Sequence, residues 1–521
     1  MRDPQPLSLA IAGLFLLLCL PRIAVPGSYL FDEGYYIPAA LSLLQGEAVL
    51  NREHPMLAKE LLAVSIAVLG DNPLGWRALS LVSMTGALFL AMRAMWHFTR
   101  DRTASLMFGF LLATSGLTLG LARLGTLDAP MLLFAAAGAH ALAKDRRWVA
   151  AVFFGLSLAC KWTVAPLLPV LALLVGMRGA GGPRAVGIEL LRFGIVPLAV
   201  YAVSFLPGFF VRENPFVPAE FLTLQSVMKD ALLSYNAPNP YAARWWELPL
   251  GLAPYWALAQ AVDGAWRFIV LIQNPVGTLA TLVALPFAWR DRRLRLLLPF
   301  YLTPIVLAAG SDRVAYVHQF ALPMAVGLAM AALMLARMPR YWTVGTAVAS
   351  GVVLAFFHPY ITAAPFADRG AGERAIWIDR WRIVDFDTWA PVHRPHFDAR
   401  EKLQAICLQR PVDCDIAMLE SPLADLMAEH GLTRAAVAFR TGGAGSRVLA
   451  LNATPAMRER VRESLRSGFP PSAGGREEWT LSVRRGDFVA VGLFEGIPRD
   501  RPAAERRVRS YLVSLEATPG S

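Results

Sequence analysis

Two adjacent carboxylates, Asp32 and Glu33, follow an apolar run in the segment Phe31-Asp32-Glu33-Gly34-Tyr35-Tyr36. Desolvation near lipid raises a carboxylate's pKa and a neighbouring acid raises it further, which suits a general base that must take a proton from a hydroxyl. Solvated loop acids are the plainer explanation of the same pair. Farther along, Asn51-Arg52-Glu53-His54-Pro55-Met56-Leu57-Ala58-Lys59 opens an expected helix that leads to Gly75-Trp76-Arg77. His54 and Lys59 near a helix start could grip a phosphate, with Pro55 fixing the entry; interfacial snorkelling accounts for Lys59 as well. Arg123 and Asp128 flank the turn 124–127, Lys161 sits at a later turn, and Arg313 and His318 follow Asp312. Such residues at the ends of apolar runs are often interface anchors, yet cations converging on one face would suit a lipid-linked phosphate. Taken together they describe a basic site around an acidic pair, as expected where a phosphate leaves while a hydroxyl is deprotonated. A last group, Tyr241, Arg244, Trp245 and Trp246 with Glu247, reads as an interfacial aromatic belt or as the wall of a sugar or lipid groove.

These residues need a scaffold, and the composition says which kind. Of 521 residues 55% are hydrophobic and 17% charged, and the mean hydropathy is +0.44, which excludes disordered, collagen-like and small disulfide-stapled proteins. Residues 1–357 hold 45 charged side chains and 358–521 hold 44, so a lipid-embedded body precedes a water-soluble tail. Apolar runs at 7–20, 78–92, 104–121, 127–143, 148–160, 163–177, 193–210, 269–289, 296–309, 317–336 and 341–357 predict about eleven transmembrane helices. The first run could be a signal peptide, but Pro21 and Arg22 break it without a clean cleavage site, so it reads as an uncleaved span. Basic clusters at 93–102, 144–147, 178–192, 290–295 and 337–340 fall after every second run, which places them in the cytoplasm together with the N-terminus. Parity requires two helices across 148–175 with Lys161 at the turn between them. The outward segments are then 27–77, 122–126, the Lys161 turn, 211–268, 310–316 and the tail.

The net charge of +11 lies mostly in the first 357 residues, a topological excess that calls for no nucleic acid. Four cysteines, Cys19, Cys160, Cys407 and Cys414, give no metal-ligand spacing, so cysteine supports no zinc site; no cofactor is expected, and dependence on a divalent cation stays open. In an extracytoplasmic tail Cys407 and Cys414 could close a small disulfide loop or stay as two thiols. The tail alternates helix-like stretches, 400–408 and 455–467, with strand-like ones, 447–451 and 479–483, around loops at 442–445 and 470–475, which predicts a small α+β domain.

In this order the pieces resemble the protein O-mannosyltransferase family of the GT-C superfamily of lipid-carrier-dependent glycosyltransferases. The resemblance covers residues 28–335. It rests on Phe31-Asp32-Glu33, His54-Pro55-Met56-Leu57-Ala58-Lys59, Asn72-Pro73-Leu74-Gly75-Trp76-Arg77, Ala122-Arg123 with Leu127-Asp128, Gly155 with Lys161-Trp162, Pro240-Tyr241 with Trp245-Trp246, and Arg313. It implies an α-helical multi-pass membrane protein of about eleven spans, while the soluble tail after Phe357 lies outside the resemblance. It also implies an inverting transferase that moves a sugar, mannose first among candidates, from a polyprenyl phosphate to Ser/Thr hydroxyls of exported proteins. Asp32 would be the catalytic base and Glu33 would shape the site. Arg123, Lys59, Lys161 and Arg313 would hold the donor phosphate, and His54, Asp128, Tyr241, Arg244, Trp245 and Trp246 would contact substrate. The chain departs from the family at Met56, where a second proline is common, and at Asn239, often a histidine. The segment 211–268 is too short for the carbohydrate-binding insertion of eukaryotic members, so the chain looks bacterial, with its active site and tail outside the plasma membrane. Two other readings fit parts of the pattern: a relative acting on lipid A or another envelope glycan, and a transporter or flippase. The absence of repeated halves speaks against a transporter, and eleven spans are too many for the mere anchor of a wall-binding tail.

Overall fold

The structure, a computed structural model, describes residues 3–177, 182–212, 215–234, 239–311, 313–384 and, within 423–515, all but 424–425, 428, 442–446, 452, 468–476, 486–487, 497 and 499. Cys407, Cys414, Asp312, the expected helix at 400–408 and the loops at 442–445 and 470–475 lie outside the described residues. The chain divides into two compact units, Met1–Asp385 and Phe386–Ser521.

The first unit is built of apolar helices. After α1 (Gln5–Cys19), α2 (Glu33–Leu44) and α3 (Leu57–Leu69) form a helical pair, and α4 (Pro73–Thr99) is the longest helix described. Asn72 sets its start: its side chain accepts from Leu74 N and Gly75 N at 3.0 and 3.2 Å, ahead of Pro73 in the first turn. Next come α5 (Arg102–Ala113), α6 (Gly116–Ala122), α7 (Asp128–Ala143), α8 (Arg147–Cys160), α9 (Leu167–Met177), α10 (Gly182–Val203) and α11 (Phe221–Ser234). Beyond a β-hairpin lie α12 (Pro275–Phe287), α13 (Arg292–Ala309), α14 (Ala321–Leu335) and α15 (Arg340–Ile361). By length and composition α4, α10, Val317–Leu335 and α15 can each cross a bilayer, while α1, α7, α8, Trp162–Met177 and α12 are shorter apolar helices. This is an integral membrane protein of mostly helical build.

Three features depart from a simple reading of apolar runs. The run at 104–121 is broken: α5 and α6 meet at 66°, and Asn274 Nδ2 donates to the Thr114 carbonyl freed there, at 2.9 Å. The run at 269–289 starts as a strand, because β1 (Tyr255–Val262) and β2 (Ala265–Leu271) pair antiparallel through Asp263-Gly264, both at positive φ, 51° and 75°. Finally, residues 358–384 pack on the first unit: Arg267 Nη1 donates to Ala363 O at 2.8 Å, Trp266 and Phe366 form a β-bridge, and Arg380 Nε meets Glu247 at 2.9 Å. The units therefore part beyond the last apolar run. The chain does break at Lys161, which is extended between α8 and α9.

The second unit carries an antiparallel sheet ordered β4-β3-β6-β5, from Arg447–Leu451, Arg434–Thr441, Phe488–Glu495 and Glu478–Arg485. Alternate residues of β3 face opposite sides: Ala436 and Ala438 join a core with Met457, Val461 and Leu465 of helix Pro455–Ser467. Ala435, Val437 and Phe439 join another with Val508 and Leu512 of helix Arg501–Ser514.

Candidate active site

The two adjacent acids have different surroundings. Glu33, fully buried, accepts four hydrogen bonds: Leu30 N at 2.9 Å, Gly125 N at 2.9 Å, and Arg77 Nε and Nη2 at 2.8 and 2.9 Å. The Arg77 guanidinium is buried too, and its other donors hold Ile23 O at 2.8 Å, Pro26 O at 3.1 Å and Ser28 O at 3.1 Å. A bidentate pair with every donor satisfied fixes the loop before α2 to the first turn of α4 and to the turn before α7. Gly125 is required there, since a Cβ would lie 2.8 Å from Trp76 O. Arg77 is the residue that sequence reasoning left without a role. Its place beside the Gly75-Trp76 pair was visible, its partner 44 residues away was not.

With Glu33 so held, the half-buried Asp32 is the acid turned to the site. Phe31 before it adopts φ 53°, an unusual value for a residue with a Cβ. Tyr36, one turn on, donates its hydroxyl to Asp32 Oδ2 at 3.1 Å. Burial raises the Asp32 carboxyl to about 6; Lys161, the Tyr36 hydrogen bond and Arg313 pull it down, and Asp128 pushes it up. Asp128 and Lys161 pair at 2.7 and 2.9 Å with both side chains buried. The extended backbone of Lys161 brings the end of α8 to the start of α7. His54 is held well below the usual histidine range by burial, then by Lys161, Lys59 and Arg313, and its ring lies 5.8 Å from Tyr36. Phe31 is edge-on to Tyr255 of the hairpin at 4.6 Å and to His318 at 4.9 Å. Tyr241 joins through Tyr255 at 4.9 Å.

Thus Asp32, His54, Asp128, Lys161, Arg313 and Tyr241 share one neighbourhood, and Tyr36, Tyr255 and His318 complete it. Five other expected residues are placed differently. Arg123, buried, donates to the carbonyls of Cys19, Pro21 (2.7 Å) and Arg22 (3.1 Å). Lys59 Nζ, also buried, donates to Leu50 O, Asn51 O and His54 O at 3.3, 2.6 and 3.0 Å, so it braces the His54 loop. Carbonyl oxygens rather than a free face surround both cations, the preference of a buried cation for any acceptor it can reach. Arg244, Trp245 and Trp246 are exposed on the turn that Glu247 closes by accepting from Arg244 N at 2.7 Å. Among the described residues no group of three or more His, Cys, Asp and Glu could hold a metal ion.

Beside this cluster lies a mainly apolar cavity of about 410 Å³ between α4, α7, α8, α9, α13 and α14. Its wall includes Thr118, Val164, Ala321 and Leu322, of which Val164 and Ala321 follow Lys161 and His318 by about one helical turn.

No family model matches the chain. A polyprenol-phosphate-mannose–protein mannosyltransferase of Mycolicibacterium smegmatis is 25% identical over 250 residues, 38% of this chain and 48% of the relative. An undecaprenyl phosphate-alpha-4-amino-4-deoxy-L-arabinose arabinosyl transferase of Pseudomonas fluorescens is 29% identical over 330 residues, 58% of this chain and 54% of the relative. The chain thus spans about half the length of these curated relatives. Among solved structures, the protein O-mannosyltransferase Pmt1-Pmt2 complex of S. cerevisiae, bound to its sugar donor, superposes with a TM-score of 0.63 at 12% identity, over 74% of this chain and 93% of that one. By sequence the chain is similar to bacterial polyprenol-phosphate-mannose protein mannosyltransferases, and it shares the fold of the yeast complex.

Proposed function

We propose that the protein is an integral-membrane inverting glycosyltransferase that moves a sugar, mannose foremost, from a polyprenyl-phosphate carrier to Ser/Thr hydroxyls of exported proteins. The observation that carries this reading is Asp32, a carboxyl raised to about 6 and set between Tyr36 and the cations Lys161 and Arg313. A base of that pKa is ionised at neutral pH yet can take a hydroxyl proton as the oxygen attacks. The acceptor oxygen bonds to the anomeric carbon while the carbon–phosphate-oxygen bond breaks from the other side. The electron pair leaves on the phosphate, where Lys161 and Arg313 stabilise it. Asp128 holds Lys161, His54 and Tyr241 meet substrate, and Glu33 with Arg77 fixes the base. Lys59 and Arg123 act by positioning the loops around the phosphate site, and the exposed Arg244, Trp245 and Trp246 face the acceptor. The apolar cavity suits the polyprenyl tail.

In this reading residues 1–357 cross a bacterial plasma membrane about eleven times from a cytoplasmic N-terminus. The segments 27–77 and 211–268 and the tail 358–521 are extracytoplasmic. The membrane supplies the donor, and neither nucleic acid nor cofactor takes part. A second reading, transfer of a sugar to lipid A or another envelope glycan, is favoured by the similarity to the Pseudomonas fluorescens arabinosyl transferase, which extends over more of this chain. The test is purified protein in nanodiscs with polyprenyl-phosphate radiolabelled mannose and either an exported-protein extract or envelope lipid, comparing wild type with Asp32→Ala. Asp32-dependent label in protein supports the first reading, and label in lipid the second. Label that does not depend on Asp32 sinks the base assignment.

A further inference from the structure

The site contains a buried polar atom that no described residue satisfies. His318 lies in the helical turn Val317–Phe320 ahead of α14 and is 5% exposed, and its Nδ1 has no hydrogen-bond partner among the described residues. Ring contacts on two sides fix the imidazole: Tyr316 stacks on it at 5.7 Å and 13°, and Phe31, next to Asp32, meets it edge-on at 4.9 Å. The charges that act on it are Lys161 and Arg313, with His54 beside them. Leaving a buried polar nitrogen unsatisfied costs about 1–3 kcal/mol. In a site whose cations attract an anion, the missing partner is an oxygen of that anion.

We infer that His318 is a ligand-contacting residue of the donor site, its Nδ1–H donating to a phosphate oxygen of the polyprenyl-phosphate sugar alongside Lys161 and Arg313. The inference rests on the transferase reading above. The imidazole N–H gives direction: Lys161 and Arg313 supply the attraction, and His318, packed between its rings, selects the orientation in which the anomeric carbon faces Asp32. The phosphate keeps this contact as the sugar departs, so His318 binds the sugar-free polyprenyl phosphate as well as the donor.

The test pairs His318→Phe, which keeps the ring packing and removes the nitrogen, with His318→Asn, whose side-chain amide puts a donor close to the Nδ1 position. Each is measured in nanodiscs for binding of polyprenyl monophosphate and for donor KM and kcat. His318→Phe is expected to weaken polyprenyl-phosphate binding and raise donor KM by about tenfold or more, as for loss of a hydrogen bond to a charged group. His318→Asn is expected to recover most of that loss, which a purely structural role would not produce. Wild-type affinity in His318→Phe, or equal losses in both variants at unchanged thermal stability, overturns the inference while leaving the transferase reading intact. A wild-type protein that does not bind polyprenyl phosphate overturns both.

Discussion

Removing the guanidinium of Arg77 tests the claim that Glu33 is a structural acid. Arg77→Met keeps the volume and the helix, but leaves the Glu33 carboxylate, 0% exposed, with only the Leu30 and Gly125 amides, and strips three carbonyls of their donor. Breaking one side of a buried ion pair costs about 3–5 kcal/mol, or roughly two to three and a half decades in the folding equilibrium. Glu33→Gln leaves the opposite charge buried and is expected to cost a similar amount. The double variant carries neither charge, so its loss should fall short of the sum of the two by about 2 kcal/mol, a coupling of the size found for residues in one network. The assay is unfolding in mixed micelles, with thermal half-life as second readout and transfer rate as third. Activity should fall in both single variants, since the loop carrying Asp32 loses its tie to α4. A single Arg77→Met loss under about 1 kcal/mol, or strict additivity in the double variant, would refute the reasoning.

Two more outcomes follow from the site geometry. Asp32 must be ionised to act, so kcat/KM should fall tenfold per pH unit below an apparent pKa of about 6. Lys161→Met should move that midpoint up, because the cation favours the carboxylate; Asp128→Asn should move it down, and a pH–rate profile with both midpoints unmoved would exclude Asp32 as the titrating base. In α4, Gly75→Ala places a Cβ 2.0 Å from Gly70 O, backbone that cannot yield, whereas Gly194→Ala in α10 meets nothing within 4 Å. The first is expected to cost about 1–3 kcal/mol and to disturb Arg77 two residues on, the second to be neutral or stabilising, as read by thermal unfolding.

Much of this was legible in the residues because the signals were local. The apolar runs, the break at Lys161 and the adjacent acids each follow from a short stretch of sequence, and β4 and β5 form where alternation predicts strands. What was not legible depends on partners far along the chain. Nothing local distinguishes Asp32 from Glu33; four donors, two from residue 77 and one from residue 125, make one acid structural and leave the other to the site. Arg123 and Lys59 have the composition of phosphate ligands, but carbonyl acceptors carry no sequence signature, so their engagement is visible only in three dimensions. Asp263-Gly264 is a local hairpin signal that the reading of apolar runs passed over, because the apolar residues of β2 run on almost directly into α12 and strand and span merge into one run. His318 shows the reverse case: its neighbours read as an outer turn, and the role inferred for it rests on an Nδ1 with no partner among the described residues.

The end of α1 is closed by residues far along the chain. The last carbonyls of a helix have no partner within it. Here Cys19 O is taken by Arg123, and Leu18 O lies 2.9 Å from His358 Nε2, 340 residues later. Just past the helix, Arg22 donates to Thr362 at 2.8 Å. The end of α1 is therefore closed partly by the end of α15, and most helices of the first unit lie between the two in sequence. Without α15, Leu18 O would lose His358 and Arg22 would lose Thr362, so the closure of the α1 end couples it to a helix more than three hundred residues away.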